Sequence, residues 1–109
     1  EDRTLRFAKQ IRVFIRKLPK TIGNNEDIKQ LIRSSGSVGA NYIEANESLG
    51  KKDFRMKIKI AKKEAKESAY WHSILDTEEC SSLDNERHNL INEARERMLI
   101  FGAVLRNSQ

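Results

Sequence analysis

The sequence predicts an all-α protein, an antiparallel up-down-up-down four-helix bundle, on three observations. Four separate segments carry apolar residues every three to four positions, the period of an amphipathic helix. Hydrophobic residues at 38% and charged residues at 34%, with a single proline, suit such helices better than a sandwich or a disordered chain. No segment alternates apolar and polar residues with the period of a strand. At 109 residues, the chain has the length of one domain, 1–109, with one core.

In the first segment Phe7, Ile11, Phe14 and Leu18 form one stripe, widened by Ala8 and Ile15, with Arg6, Lys9, Arg12, Arg16 and Lys17 opposite. Pro19 is expected to end this helix, and Thr21 to Asn25, with Gly23, to form a turn. In the second segment Ile28, Leu31, Ile32, Ser35, Val38, Gly39, Tyr42 and Leu49 share one side, and Gly50 is placed as the residue that closes the helix. The third runs from Asp53 with the stripe Phe54, Ile58, Ala61, Ala65, Ala69, His72 and Leu75, up to an acidic linker around Thr77 to Ser82. Asp84 is the expected cap of the fourth, preceded by Leu83, and Ile91, Ala94, Met98, Phe101 and Leu105 supply its buried face. Four helices of similar length with short connections close most simply as an up-down-up-down bundle. Ser35, Gly39, Ala61, Ala65 and Ala69 are small, which lets the second and third helices approach closely.

A second apolar stripe lies off the core: Met56, Ile60, Trp71 and Ile74 on the third helix, with Leu99, Ile100 and Ala103 on the fourth. Exposed apolar surface of this kind marks a contact with another chain, so self-association is expected. The competing reading is a wide core stripe with scattered surface apolar residues.

The net charge of +5 is unevenly distributed. Residues 51–66 carry a net +6 and residues 67–86 a net −6. On the third helix Arg55, Lys59, Lys62, Lys63 and Lys66 form one solvent stripe that could follow phosphates without reading sequence; the alternative is an ordinary solvated face.

Other chemistry finds little support. Gly36 to Gly39 lacks the lysine and the strand of a phosphate loop. Neither His72 nor His88 follows a glutamate by three positions, as bundle diiron sites require, and Cys80 with a distant His88 is a weak metal pair. Cys80, the sole cysteine, also permits no intrachain disulfide. No enzyme, cofactor or metal is therefore expected. No apolar run approaches the roughly 20 residues that cross a bilayer and no leader opens the chain, which predicts a cytoplasmic location without membrane contact. Asn41 and Glu44 stand across the second helix from its apolar side, either solvated or facing another surface on which Glu44 meets a basic residue.

The stretch from Gln30 to Glu67, through Arg33-Ser34, Ser37-Val38, Ala40-Asn41-x-Ile43-Glu44, Phe54 and Ile60-Ala61, resembles the four-helix-bundle proteins encoded in intervening sequences of bacterial 23S ribosomal RNA genes. Arg33, Asn41 and Glu44 fall in the matching segments. Gly39 stands where many members have proline, and Ala45 where glycine follows the signature glutamate, which marks a divergent branch. The resemblance implies a homo-oligomer, a ring of five, with no known catalysis. A related family, the accessory proteins of diversity-generating retroelements, implies RNA or DNA, or a nucleoprotein such as a reverse transcriptase, as partner. The function expected is thus a small, basic, non-catalytic oligomer that binds nucleic acid or a nucleoprotein; the alternative is a self-assembling scaffold without nucleic-acid binding, and third an enzyme with an unrecognised site.

Overall fold

The computed structural model describes residues 2–109. It holds four helices, α1 (Asp2–Ile15), α2 (Ile22–Asn46), α3 (Lys51–Ile74) and α4 (Ser81–Asn107), in a rod of 46 × 20 × 20 Å. Each packs on its neighbour in sequence, and α1 closes the square against α4. Ion pairs record the antiparallel directions: Arg33 meets Glu64 while Glu44 meets Lys57 across α2 and α3, and Arg3 meets Glu93 while Lys17 meets Glu86 across α1 and α4. Among the described residues there is no strand, and no helix is long and apolar enough to cross a membrane.

Several ends differ from the sequence reading. α1 stops at Ile15, ahead of Pro19, because a proline disfavours helical backbone at the residue before it; Leu18 is still buried, from a turn. Thr21 to Asn25 is not a turn but the start of α2. The Thr21 hydroxyl accepts the Asn24 amide at 3.0 Å as N-cap. Asn24 is buried, donating from Nδ2 to Pro19 O (2.9 Å) and Asp76 O (2.8 Å) while Oδ1 accepts the Asp76 amide (2.9 Å). One side chain thereby ties the α1–α2 connection to the α3–α4 connection.

At the opposite end α2 finishes at Asn46, so Leu49 lies outside it and fully exposed. Gly50 does not close α2; with φ −146° it is the extended N-cap of α3. Between α3 and α4, Glu78 and Glu79 take the left-handed region (φ 52° and 61°), and the Glu78 amide donates to Asp76 Oδ1 at 2.8 Å. Cys80 holds the N-cap position of α4; Asp84 instead sits in its first turn, accepting from the Thr77 hydroxyl and from Arg87.

The core has two parts. Phe7, Ile11, Phe14, Leu18, Leu31, Leu75, Leu90 and Ala94 form one, and Val38, Ala45, Ile58, Ala61, Ala65 and Phe101 the other. α1 spans about 21 Å at 1.5 Å per residue, little more than half of α2 or α4. Its first turns lie beside Gly39 of α2 and Glu93 and Glu96 of α4. Beyond that level, around Ala45 and Ile58 of the second part, only α2, α3 and α4 remain. Gly39 therefore serves α1 rather than α3: a Cβ there would sit 3.3 Å from Thr4 Oγ1. Ala61 and Ala65 are fully buried in one cluster with Val38 and Ala45 of α2, and Ser34 adds to the close α2–α3 contact by receiving the Ser68 hydroxyl at 3.0 Å with both serines fully buried.

Candidate nucleic-acid interface

α3 presents the basic stripe. Its Lys, Ala and Glu content gives high helix propensity, and alanines turned inward leave the long side chains outside. Lys59, Lys62, Lys63 and Lys66 are exposed, and no ion pair or hydrogen bond engages any of them among the described residues. Arg55 stands apart. Its Nη1 donates to Leu105 O and, at 2.6 Å, to Ser108 Oγ, so this cation serves the carbonyl end of α4.

α4 supplies a cation that the sequence reading missed. A Cβ at Gly102 would lie 3.7 Å from Lys62 Nζ and 3.5 Å from Arg106 Nη1, so two positive groups from different helices converge over that glycine. The signal was a glycine inside the C-terminal half of a helix, which costs about 1 kcal/mol against alanine and so asks for a reason. Arg97 was missed as well. It lies between Ala94 and Phe101 on the buried stripe, its side chain only 7% exposed, with Nε 3.5 Å from Glu93 Oε2.

The seam between α2 and α3 collects the residues of the matching segment. Arg33 Nη1 reaches Glu64 Oε1 and Oε2, both at 3.3 Å, and Nη2 reaches Glu67 at 2.6 Å. The Glu64 hydrogen bond is the main cause that holds the Arg33 guanidinium above its ordinary pKa. Glu44 does meet a basic residue, Lys57 of the same chain at 2.8 Å, and that contact raises the Lys57 ammonium. Asn41 Nδ2 donates to Ser37 O (2.9 Å) and to Ser37 Oγ (3.0 Å), one turn back on its own helix. Along the outer edge of this seam Met56 and Ile74 are exposed, while Ile60 and Trp71 are half-buried; Trp71 also packs on the core.

Groups that could carry catalysis are dispersed. His72 is fully buried against Phe14, Nδ1 donates to Ser68 O at 3.0 Å, and burial lowers its pKa to about 4. The exposed Cys80 thiol is lowered by the Ser82 hydroxyl, and no three His, Cys, Asp or Glu among the described residues group to hold a metal ion. A groove of about 670 Å³ runs between α1 and α4, lined by Leu5, Val13 and Leu90 with Arg6, Lys9 and Glu86. Its carboxylate is held by Lys17 at 3.1 Å.

The family model described as 23S rRNA-intervening sequence protein matches residues 2–100. A crystal structure of a protein with unknown function from the S23 ribosomal protein family of Bacteroides thetaiotaomicron is similar, at TM-score 0.79 and 29% identity over 95% of each chain. Comparison with curated proteins finds no match.

Proposed function

Because the chain belongs to the 23S rRNA-intervening sequence protein family, we propose that it is a non-catalytic, self-associating bundle that binds nucleic acid, or a nucleoprotein, through the cationic face of α3 and α4. The observation that carries this is the lack of intramolecular partners on that face. Arg3, Lys17, Arg33, Lys57 and Arg87 are each matched to carboxylates, whereas Lys59, Lys62, Lys63, Lys66 and Arg106 are not, and Lys62 and Arg106 converge. Unmatched cations along a rigid helix are suited to phosphates, where counterion release drives binding. Such contacts hold a backbone without choosing a sequence.

The family's description names 23S rRNA, which makes RNA the first polymer to test, with DNA beside it. Assembly into a ring would multiply weak contacts from each chain. Titrating labelled RNA at several salt concentrations should give affinity that falls steeply with salt. Lys62→Glu/Lys66→Glu should weaken binding to all sequences alike and reduce the slope of log K against log salt by about 2, near one per phosphate contact. Both side chains point away from the Ala61 and Ala65 stripe, so helicity should persist. Absence of binding at low salt, or a double variant that binds like wild type, would leave a self-assembling scaffold as the reading.

A further inference from the structure

We propose that the groove between α1 and α4 receives the C-terminal edge of α3 from a second copy, head to tail, so that each chain offers one surface and takes up the other. This rests on the self-association reading above and gives it an interface. The groove is lined by Leu5, Val13 and Leu90, with Leu5 55% and Val13 48% exposed, and Arg6 and Lys9 stand on its rim. Among the described residues neither cation has an ion pair or a hydrogen bond, whereas Glu86 of the same groove is matched to Lys17. The groove is therefore both apolar and net positive.

The edge of α3 is its complement. Tyr70 and Ile74, one turn apart, are 58% and 45% exposed, with Trp71 half-buried between them. Residues 67–79 hold Glu67, Asp76, Glu78 and Glu79 and no lysine or arginine. Arg33 is shared between Glu64 at 3.3 Å and Glu67 at 2.6 Å, so those three side chains keep a net negative charge.

Height along the rod is what selects a second copy as the partner. α1 and α3 run the same way, each antiparallel to α2, and the rings of Phe14 and His72 lie 6.0 Å apart, so an α1 residue is level with the α3 residue 58 positions later, 14 against 72. Lys9 is then level with Glu67, and Val13 with Trp71, between Tyr70 and Ile74. The two surfaces share one height but face different ways, because α3 stands diagonally across the square from α1. A copy turned about an axis along the rods, without climbing, brings cation to carboxylate and apolar to apolar at once. Head-to-tail contact by rotation alone closes a ring, where rotation with climb winds a filament. The contact takes the last turns of α3, so the lysines assigned to phosphates, all of which precede Glu67, stay outside it.

The test is sedimentation of two variants, alone and mixed. Val13→Glu spoils the groove and leaves the α3 edge intact, and Ile74→Glu does the reverse; both positions are exposed, so helicity should persist by circular dichroism. Wild type is expected as an assembly of more than two 12.6 kDa chains, and each variant alone as a monomer, because every junction of a ring needs both surfaces. Mixed one to one, above the concentration at which wild type dissociates, the intact edge of one variant seats in the intact groove of the other, and assembly stops at a pair. Either variant assembling alone like wild type, or a mixture that stays monomeric or regains the full wild-type mass, overturns the proposal. Should either variant lose helicity, Lys9→Glu and Glu67→Lys replace them. Each alone should dissociate, and the double variant, with the charges exchanged in one chain, should regain the wild-type mass; a double variant that stays dissociated overturns the proposal. Glu67→Lys loses its Arg33 contact in the single and the double variant alike, so recovery reports the junction between chains. A monomeric wild type removes the self-association reading together with this interface, whereas a wild-type assembly that neither Val13→Glu nor Ile74→Glu disturbs removes the interface alone.

Discussion

The first part of the bundle core holds Phe7, Ile11, Phe14, Leu18, Leu31, Leu75, Leu90 and the small Ala94, whereas the second holds Val38, Ala45, Ile58, Ala61 and Ala65 around Phe101 and extends past the start of α1. Four helices set in a square leave a wide central space that only large side chains bring to protein density. Three helices close on a narrower axis, and small residues let them do so, with Tyr42 and Phe101 meeting at 5.9 Å between ring centroids. The first part thus carries the bulkier buried side chains, and α1 supplies three of them, Phe7, Ile11 and Phe14. The same division separates the polar chemistry. Asn24 and His72 are buried at the four-helix end, while the convergence of Lys62 and Arg106 lies on the three-helix part.

The comparison breaks most visibly at Phe14. It is fully buried, and Phe14→Ala should cost about 3–5 kcal/mol in denaturant unfolding, since neighbouring helices cannot collapse onto the void. A loss below 1 kcal/mol would mean that α1 contributes little to the core it covers.

A pH profile sharpens the contrast. The His72 pKa is lowered in the fold to about 4 from its ordinary 6.5, so the unfolded chain takes up the proton first as pH falls. Its contribution to stability should therefore be full above pH 6.5 and decline between pH 6.5 and 4, by about 3 kcal/mol in total at 1.36 kcal/mol per pH unit. Burial is the main cause, and nearby Arg87 adds to it. His72→Leu should flatten that part of the stability curve, as thermal melts across the range can measure; an unchanged slope would assign it to other groups.

The smallest effect is expected in the second part of the core and has the opposite sense of size. Ala65→Leu adds volume where backbones are close, and should destabilise by about 1–3 kcal/mol. If the variant instead unfolds at higher denaturant than wild type, that part of the core is looser than its alanines imply.

Periodicity alone determined four helices, their inward faces and the exposed lysines of α3, because burial of one stripe is decided residue by residue along a helix. It also placed Asn41 and Glu44 across α2 from its apolar side, while Arg33 was singled out by the family resemblance. The partners of Arg33 and Glu44, which are Glu64, Glu67 and Lys57, needed the register between α2 and α3, which no single-helix pattern encodes, whereas Asn41 bonds to Ser37 one turn back on its own helix. The helix ends were least legible: a glycine such as Gly50 suits either the stop of one helix or the start of the next, and the choice depends on where the preceding helix runs out of neighbours. Tertiary structure likewise decided that Arg55 caps α4 while Lys62 stays free, since identical helical spacing puts both outside and only the distance to the carbonyl of Leu105 distinguishes them. Asn24 shows the same limit at the other end of the rod. Two connections far apart in sequence meet there, and a buried amide is required because both would otherwise leave backbone polar groups without partners.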